Sequence, residues 1–125
     1  SDADVLIHAL MDALLGAAGL KDIGYYFPPE DDAYKGISSM ILLKHVNSLL
    51  KERGLEAYNI DIMVISETPK LKPHIDTMKA NLQSVLEIPL DRISIKATTN
   101  EMLGAIGRRE GIAAQAVVSV YEGEV

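Results

Sequence analysis

The recurrence of apolar residues every three or four positions predicts three amphipathic helices along the chain. The first is bounded by Gly19, which offers a left-handed stop, and the second by Gly54. A serine can cap the second helix, and a proline suits the first turn of the third. The predicted helices therefore span residues 2–18, residues 38 or 39 to 53, and residues 73–87.

Three other segments, residues 58–65, 91–97 and 112–121, alternate β-branched or apolar residues with other side chains, which is typical of strands. The order of helices and strands predicts an α/β (α+β) fold. In that fold, a single mixed sheet carries helices packed on one face. At 125 residues, the chain is expected to form one domain.

Two segments are predicted to be irregular. Residues 19–36 combine turn formers, acids and two consecutive prolines, so a long loop is expected there. Its aromatic cluster of Tyr25, Tyr26 and Phe27 argues against disorder, and loops of this length usually have a function. We therefore interpret it as a binding loop. Three glycines also predict a flexible stretch over residues 104–111.

Composition and charge exclude several classes of function. The chain has no cysteine, so it can hold neither a disulfide nor a thiolate metal site. Its 12 basic and 18 acidic residues give a net charge of −6, which argues against nucleic acid as the main partner. No apolar run is long enough to predict a membrane span, and no targeting segment is visible. A cytoplasmic location is the default expectation.

His8 is a candidate metal ligand in the first predicted helix. Asp4 and Asp12 lie four residues to either side, so all three side chains project from one helix face, where a carboxylate could orient the imidazole. A solvated surface histidine is the alternative. One histidine cannot form a zinc site, which needs three or four donors. Neither His45 nor His74 is spaced to complete one locally.

The polar segment from Thr98 to Glu101 follows a predicted strand, where ligands often bind in α/β sheets. Hydroxyls and backbone amides suit phosphate oxygens, and the carboxylate suits a hard cation. A plain polar turn is the alternative. Arg108 could likewise bind a diphosphate or simply form an ion pair with Glu110. Lys70 and Lys72 are ambiguous between solvation and contact with an anion.

Two blocks of sequence together resemble one enzyme family. The first block contains SDADV, HA, DALLGAA, DIG and FP between residues 1 and 28, and the second reads KATTxExLGxxGRxEGIA over residues 96–113. Matching PK and PH pairs begin at positions 69 and 73. In this order the blocks resemble the 2-C-methyl-D-erythritol 2,4-cyclodiphosphate synthase family of the non-mevalonate isoprenoid pathway. The resemblance covers essentially all 125 residues.

The resemblance implies an intramolecular phosphoryl transfer. In 4-diphosphocytidyl-2-C-methyl-D-erythritol 2-phosphate, the 2-phosphate would attack the β-phosphorus of the diphosphate, form the cyclic diphosphate and release CMP. It also implies two metal ions, namely Zn²⁺ or another divalent transition metal and Mg²⁺ or Mn²⁺. The alternative of a different class is a non-catalytic trimeric module that binds a nucleotide or an isoprenoid diphosphate.

The resemblance also implies roles for individual residues. His8 would be a zinc ligand, Glu101 a magnesium or manganese ligand, and Thr99 a hydroxyl that steadies the transition state. Substrate-binding positions would be Ser1, Asp22, Ile23, Gly24, Phe27, Asp31, Ser66, Pro69, Lys70, Leu71, Lys72, Thr98, Thr99, Asn100, Glu101 and Arg108. Residues 66–72 would line the cytidine pocket, and residues 22–24 would hold the methylerythritol portion.

Members of this family are homotrimers with active sites between subunits, so the resemblance implies a homotrimer whose sheets face the threefold axis. It also implies a plastid location if the source is plant-like. The family carries an Asp-x-His pair on a strand upstream of the position of Ser1. This pair would supply the other two zinc ligands. We therefore expect a domain truncated at its N-terminus, with weak zinc binding and little turnover by these 125 residues alone.

Overall fold

The computed structural model describes residues 2–34, 36–68 and 70–123, with the backbone alone for residues 2 and 3. The helices are α1 (Asp2–Ala17), α2 (Ile23–Tyr26), α3 (Ser39–Glu52), α4 (Ile75–Leu86) and α5 (Gly104–Gly107). The strands are β1 (Leu55–Ile65), β2 (Ile93–Thr98) and β3 (Ala113–Glu122). Short 3-10 turns occur at Asp32–Tyr34, Lys72–His74 and Leu90–Arg92.

The three predicted long helices are confirmed, with shifts at their ends. Ser38 caps α3 by accepting a hydrogen bond from the Met40 amide at 3.2 Å, and Gly54 follows the helix with a φ of 72°. Pro73 lies in the 3-10 turn before α4, so that helix begins two residues later than predicted. Among the described residues, no helix is both long and apolar enough to cross a membrane.

The prediction that residues 19–36 are irregular throughout is wrong, because the segment contains two short helical turns. The Asp12 carboxylate accepts a hydrogen bond from the Ile23 amide at 2.9 Å, at the start of α2. Asp31 accepts one from the Ala33 amide at 2.9 Å and so begins the second turn. The stretch predicted to be flexible after residue 104 likewise contains α5. At the two turns between residues 19 and 36, the Asp12 and Asp31 carboxylates supply hydrogen bonds that sequence periodicity does not reveal.

The sheet has three strands in the order β2-β1-β3 and is mixed. The central strand β1 pairs in parallel with β2, from Ile60 opposite Ile93 to Ile65 opposite Thr98. It pairs antiparallel with β3, with a register shift between Ala57 and Asn59. The parallel pair is connected through α4, as expected for strands whose carboxyl ends lie at the same edge.

Alternate strand residues and the long helices form one hydrophobic core. α1 packs mainly on β3 and α3, while α3 and α4 reach β1 and β2. The fully buried side chains are Leu6, Leu10, Met11, Leu14, Leu15, Leu43, Val46, Leu50, Ile60, Ile62, Val64 and Leu82. Because residues of β1 alternate between buried and half-buried positions, one face of the sheet meets this core.

Replacing Leu10 by alanine should lower the free energy of unfolding by about 2–5 kcal/mol, because it leaves a cavity in a fully buried site. Urea unfolding followed by circular dichroism measures this change. Ile41→Ala is the matched control, since Ile41 is 48% exposed, and its effect should stay within about 0.5 kcal/mol. Equal losses in the two variants would contradict the core described above.

Candidate functional site

A cavity of about 360 Å³ opens where β1 and β2 end. Because these strands are parallel, their carboxyl ends meet, and the Ser66 amide continues the pairing by donating to the Thr98 carbonyl at 3.0 Å. The cavity brings together six residues that were predicted to bind substrate, namely Ser66, Lys70, Leu71, Lys72, Thr98 and Thr99. Ala97 and Glu67 complete the lining. We call this space the strand-end cavity.

The strand-end cavity combines an apolar surface with cationic and hydroxyl groups. Leu71 is buried, whereas Lys70 and Lys72 on either side of it are exposed. Neither lysine forms an ion pair with the residues that the structure describes. Two uncompensated ammonium groups beside two threonine hydroxyls form an environment that suits an anion with several acceptor oxygens, such as a phosphate. These two positive charges stand in contrast to the net charge of −6 of the whole chain.

The turn after β2 carries the predicted cation ligand. Glu101 and Met102 both adopt left-handed backbone conformations, with φ of 54° and 61°. The Thr99 hydroxyl accepts a hydrogen bond from the Glu101 amide at 3.3 Å, and the Thr98 hydroxyl donates to the Thr99 carbonyl at 3.4 Å. The hydroxyls therefore have the local backbone partners that a plain polar turn would give them. The Glu101 side chain is exposed and makes no hydrogen bond or ion pair within the described chain.

Sequence reasoning gave Glu67 no role of its own, although it lies in the segment predicted to line the cytidine pocket. Its carboxylate accepts hydrogen bonds from the Asn100 amide at 2.6 Å and the Met102 amide at 3.1 Å. These contacts join the segment after β1 to the turn after β2. The only signal in the sequence is an acidic residue two positions beyond a predicted strand, which is too common to identify such a contact.

The helix face that carries His8 lies beside the loop predicted to hold the sugar. His8 is exposed, and Asp12, one turn further along α1, binds the Ile23 amide. Asp12 is therefore engaged with the loop, and Asp4 accepts a hydrogen bond from the Ser39 hydroxyl at 2.8 Å. The hydrogen bond between Asp12 and the Ile23 amide places the start of α2 near the turn of α1 that follows His8.

We call His8 on α1, together with the loop around α2, the second region. The other residues predicted to bind substrate lie in or near the second region or on the surface. Asp22 immediately precedes α2, and Gly24 lies within it. Phe27 packs edge-on against Tyr34, with ring centroids 5.3 Å apart, while Asp31 is engaged in its own turn. Arg108 pairs with Glu110, which is the ion pair that sequence reasoning kept as the alternative. Ser1 and Pro69 lie outside the described residues.

The predicted site is thus divided into two regions within one chain. Of the described residues, those that line the strand-end cavity include neither His8 nor Asp22. The part of the chain that the structure describes also contains no group of three or more His, Cys, Asp or Glu side chains that could hold a metal. His8 by itself does not fit a zinc ion, which takes four ligands in most protein sites.

A magnesium or manganese ion has different requirements. Mg²⁺ is usually bound by one or two carboxylates together with waters and the phosphates of a substrate. The exposed Glu101 carboxylate, two residues after the Thr99 hydroxyl that lines the cavity, fits this pattern as a single protein ligand. The described residues therefore fit a substrate-bridged hard cation and do not by themselves fit zinc.

Comparisons with known proteins identify the same family along nearly the whole chain. The model of the YgbB family matches residues 1–121. A 2-C-methyl-D-erythritol 2,4-cyclodiphosphate synthase from Thermosynechococcus vestitus is 57% identical over 123 residues, covering 98% of this chain and 76% of that protein.

Solved structures share the fold, and two of them are from Campylobacter jejuni and Plasmodium falciparum. The bifunctional IspDF from Campylobacter jejuni has a TM-score of 0.89 and 46% identity over 93% of this chain, which spans 31% of the length of that protein. IspF from Plasmodium falciparum, solved as a CDP complex, has a TM-score of 0.83 and 31% identity, with coverage of 96% of this chain and 72% of that one.

Replacing Asp12 by alanine should loosen the start of α2, because the Ile23 amide loses its acceptor. We expect hydrogen exchange of that amide, followed by NMR, to accelerate about fivefold. Asp12→Asn is the matched control, since its amide oxygen can still accept the bond and should retain most of the protection. An unchanged Ile23 exchange rate in Asp12→Ala would contradict the link between α1 and this loop.

Proposed function

Because the chain belongs to the YgbB family, we propose that it is the phosphorus–oxygen lyase that cyclises 4-diphosphocytidyl-2-C-methyl-D-erythritol 2-phosphate. The products are 2-C-methyl-D-erythritol 2,4-cyclodiphosphate and CMP, which places the reaction in isoprenoid biosynthesis. The observation that carries the proposal is the strand-end cavity, where Lys70, Lys72 and Thr99 lie together close to Glu101. A cavity of this character suits the cytidine diphosphate part of the substrate, and the Plasmodium relative is a CDP complex.

The reaction needs alignment and charge neutralisation more than it needs a protein nucleophile. An oxygen of the 2-phosphate attacks the β-phosphorus, and the bond between that phosphorus and the oxygen bridging to the α-phosphate breaks. CMP leaves with the bridging oxygen. The two reacting groups are both anionic, so they repel each other until positive groups offset their charge.

The residues of the strand-end cavity supply part of that neutralisation. The ammonium groups of Lys70 and Lys72 offset charge on the diphosphate, and the Thr99 hydroxyl donates a hydrogen bond to a phosphate oxygen. Leu71 provides an apolar contact for the cytosine base. Glu101 would hold a Mg²⁺ or Mn²⁺ ion, which supplies further positive charge to the diphosphate oxygens.

The methylerythritol portion occupies the second region, beside residues 22–24 with Phe27 and Asp31 nearby. This assignment is supported by the contact between Asp12 and Ile23, which holds that loop against α1. His8 on the same helix remains a candidate zinc ligand. No step of the reaction is assigned to zinc, because the described residues do not complete its coordination.

The enzyme is a homotrimer with active sites between subunits. Support comes from large apolar side chains exposed on the single chain, namely Met102 at 80%, Leu103 at 68% and Val117 at 72%. Exposed apolar residues of this kind are typical of surfaces that bind another protein. A neighbouring subunit would also bring the His8 region of one chain to the strand-end cavity of another.

A non-catalytic nucleotide-diphosphate-binding module is the second candidate function. It is favoured by one observation, namely that the described residues contain no group of metal-ligating side chains large enough for zinc. In that case the strand-end cavity would bind CDP without turnover.

Release of CMP from the authentic substrate distinguishes these functions. We would assay this chain, and a chimera in which the upstream segment of the Thermosynechococcus relative precedes Ser1, with Mg²⁺ and Zn²⁺ present. We expect the chimera to form CMP and cyclic diphosphate in equal amounts, measured by chromatography and ³¹P NMR. The intact relative serves as the positive control. An active relative beside an inactive chimera would contradict the enzymatic proposal, and CDP binding without turnover would favour the second candidate.

Sedimentation equilibrium tests the trimer. For a chain of 13.6 kDa, a homotrimer has three times that mass. Val117→Asp should shift the population toward monomer, because it places a carboxylate on the exposed face of β3. Ile41→Asp is the matched control, since Ile41 is an exposed residue of α3 where no subunit contact is proposed. A monomeric wild-type chain, or a trimer that survives Val117→Asp unchanged, would contradict the proposed arrangement.

A further inference from the structure

The turn that carries Glu101 has an unfavourable backbone conformation. Glu101 and Met102 are consecutive residues with positive φ, and neither is a glycine. Residues with a Cβ rarely adopt this conformation, and two in succession are rarer still. Such a turn persists only when surrounding contacts hold it. The contacts that hold this turn therefore determine the direction of the Glu101 side chain.

The Glu67 carboxylate provides the most direct of these contacts. Its two oxygens accept hydrogen bonds from the Asn100 and Met102 amides, at 2.6 and 3.1 Å. These two amides flank Glu101 on either side. Because the acceptor is a carboxylate, both bonds are charge-assisted and stronger than bonds between neutral groups. One side chain from the segment after β1 thus fixes the backbone on both sides of the candidate cation ligand.

The opposite side of the turn is held by α5. A Cβ at Gly107 would overlap the carbonyl carbon of Met102, so only glycine allows α5 to approach this closely. The Asn100 side-chain amide also donates to the Leu103 carbonyl at 2.7 Å. The turn is consequently confined between Glu67 and α5, with little room to relax into another conformation.

The same contacts change how phosphate could bind here. The sequence of this turn predicts that its backbone amides could donate to phosphate oxygens. The amides of Asn100 and Met102 are engaged by Glu67, and the amide of Glu101 by the Thr99 hydroxyl. These three amides are therefore unavailable to a ligand unless the turn opens, which leaves the Thr99 hydroxyl, the lysines and a cation to meet the phosphates.

We infer that Glu67 is a positioning residue that holds the Thr99–Met102 turn so that Glu101 can bind the divalent cation of the substrate complex. This inference rests on the proposed function, because it assigns Glu101 to that cation. Glu67 itself does not need to touch the cation or the substrate. Its negative charge is offset by two amide donors, so it can lie in a cavity that binds an anion.

Hydrogen exchange on the unliganded chain tests the contact without any substrate. Glu67→Ala removes both acceptors, and we expect exchange of the Asn100 and Met102 amides, followed by NMR, to accelerate about tenfold. Glu67→Gln keeps the shape of the side chain but turns one acceptor into a donor facing an amide, so at least one of the two amides should respond. The glutamine variant keeps the test valid if the alanine variant folds poorly.

Binding of CDP with and without Mg²⁺ tests the consequence for the cation. In the parent chain we expect Mg²⁺ to increase CDP affinity, measured by calorimetry. In Glu67→Gln we expect about a tenfold smaller effect of Mg²⁺, because the Glu101 carboxylate is no longer held in place. Affinity in EDTA should be retained or rise, since one negative charge leaves the cavity. A merely structural role for Glu67 would instead lower both affinities together.

Two further variants serve as comparisons. Glu101→Gln should also remove the effect of Mg²⁺, but it should leave the Asn100 and Met102 amides protected. Glu52→Gln removes an exposed carboxylate at the end of α3 and should change neither measurement.

Unchanged amide exchange in both Glu67 variants would overturn the positioning role, and so would an unchanged Mg²⁺ effect in Glu67→Gln. If the parent chain shows no effect of Mg²⁺, the role assigned to Glu101 fails, and with it the functional part of the inference. The amide exchange would then still show whether Glu67 holds the turn. If the chimera releases no CMP, that result counts against the proposed function but not against the role of Glu67 in holding the turn.

Discussion

Parallel pairing between β1 and β2 is the constraint on which the candidate site depends. The register from Ile60 opposite Ile93 to Ile65 opposite Thr98 brings both strands to their ends at the same edge of the sheet. The segments that follow are thereby forced to lie side by side, and the space between them is the strand-end cavity. Because the strands pack on a buried core, the start of each of these segments is fixed by the sheet, and the exposed lysines follow in the first of them.

Two lysines line the strand-end cavity of a protein that is acidic overall. An anionic substrate is repelled by a chain of net charge −6 unless particular groups compensate at the site. Under the proposed function, Lys70 and Lys72 would provide that compensation, while the charge of Glu67 is offset by backbone amides. This carboxylate can therefore lie beside the proposed phosphate-binding surface and repel the ligand less than an unpaired carboxylate would. The same carboxylate restrains a backbone turn that would otherwise be unfavourable.

The two regions of the candidate site are separate within the single chain. The described residues that line the strand-end cavity come from two segments of the chain, and neither His8 nor the loop around α2 is among them. The proposed substrate carries two anionic groups, a diphosphate and a separate phosphate, and the strand-end cavity would contact only one part of it. Assembly around a symmetry axis would allow one chain to use a region of its neighbour, with apolar contacts such as those of Val117 stabilising the arrangement.

Periodicity and family motifs in the sequence were sufficient to predict the long helices, the three strands, the mixed α/β class and most residues of the strand-end cavity. These features depend on local preferences, on the pattern of burial, or on motifs contiguous in the chain. Only the tertiary structure showed that Asp12 holds α2 and that Glu67 holds the turn around Glu101. Both contacts join a side chain to a backbone amide in another element, 11 residues away for Asp12 and 33 for Glu67, and hydrophobic periodicity carries no information about such pairs.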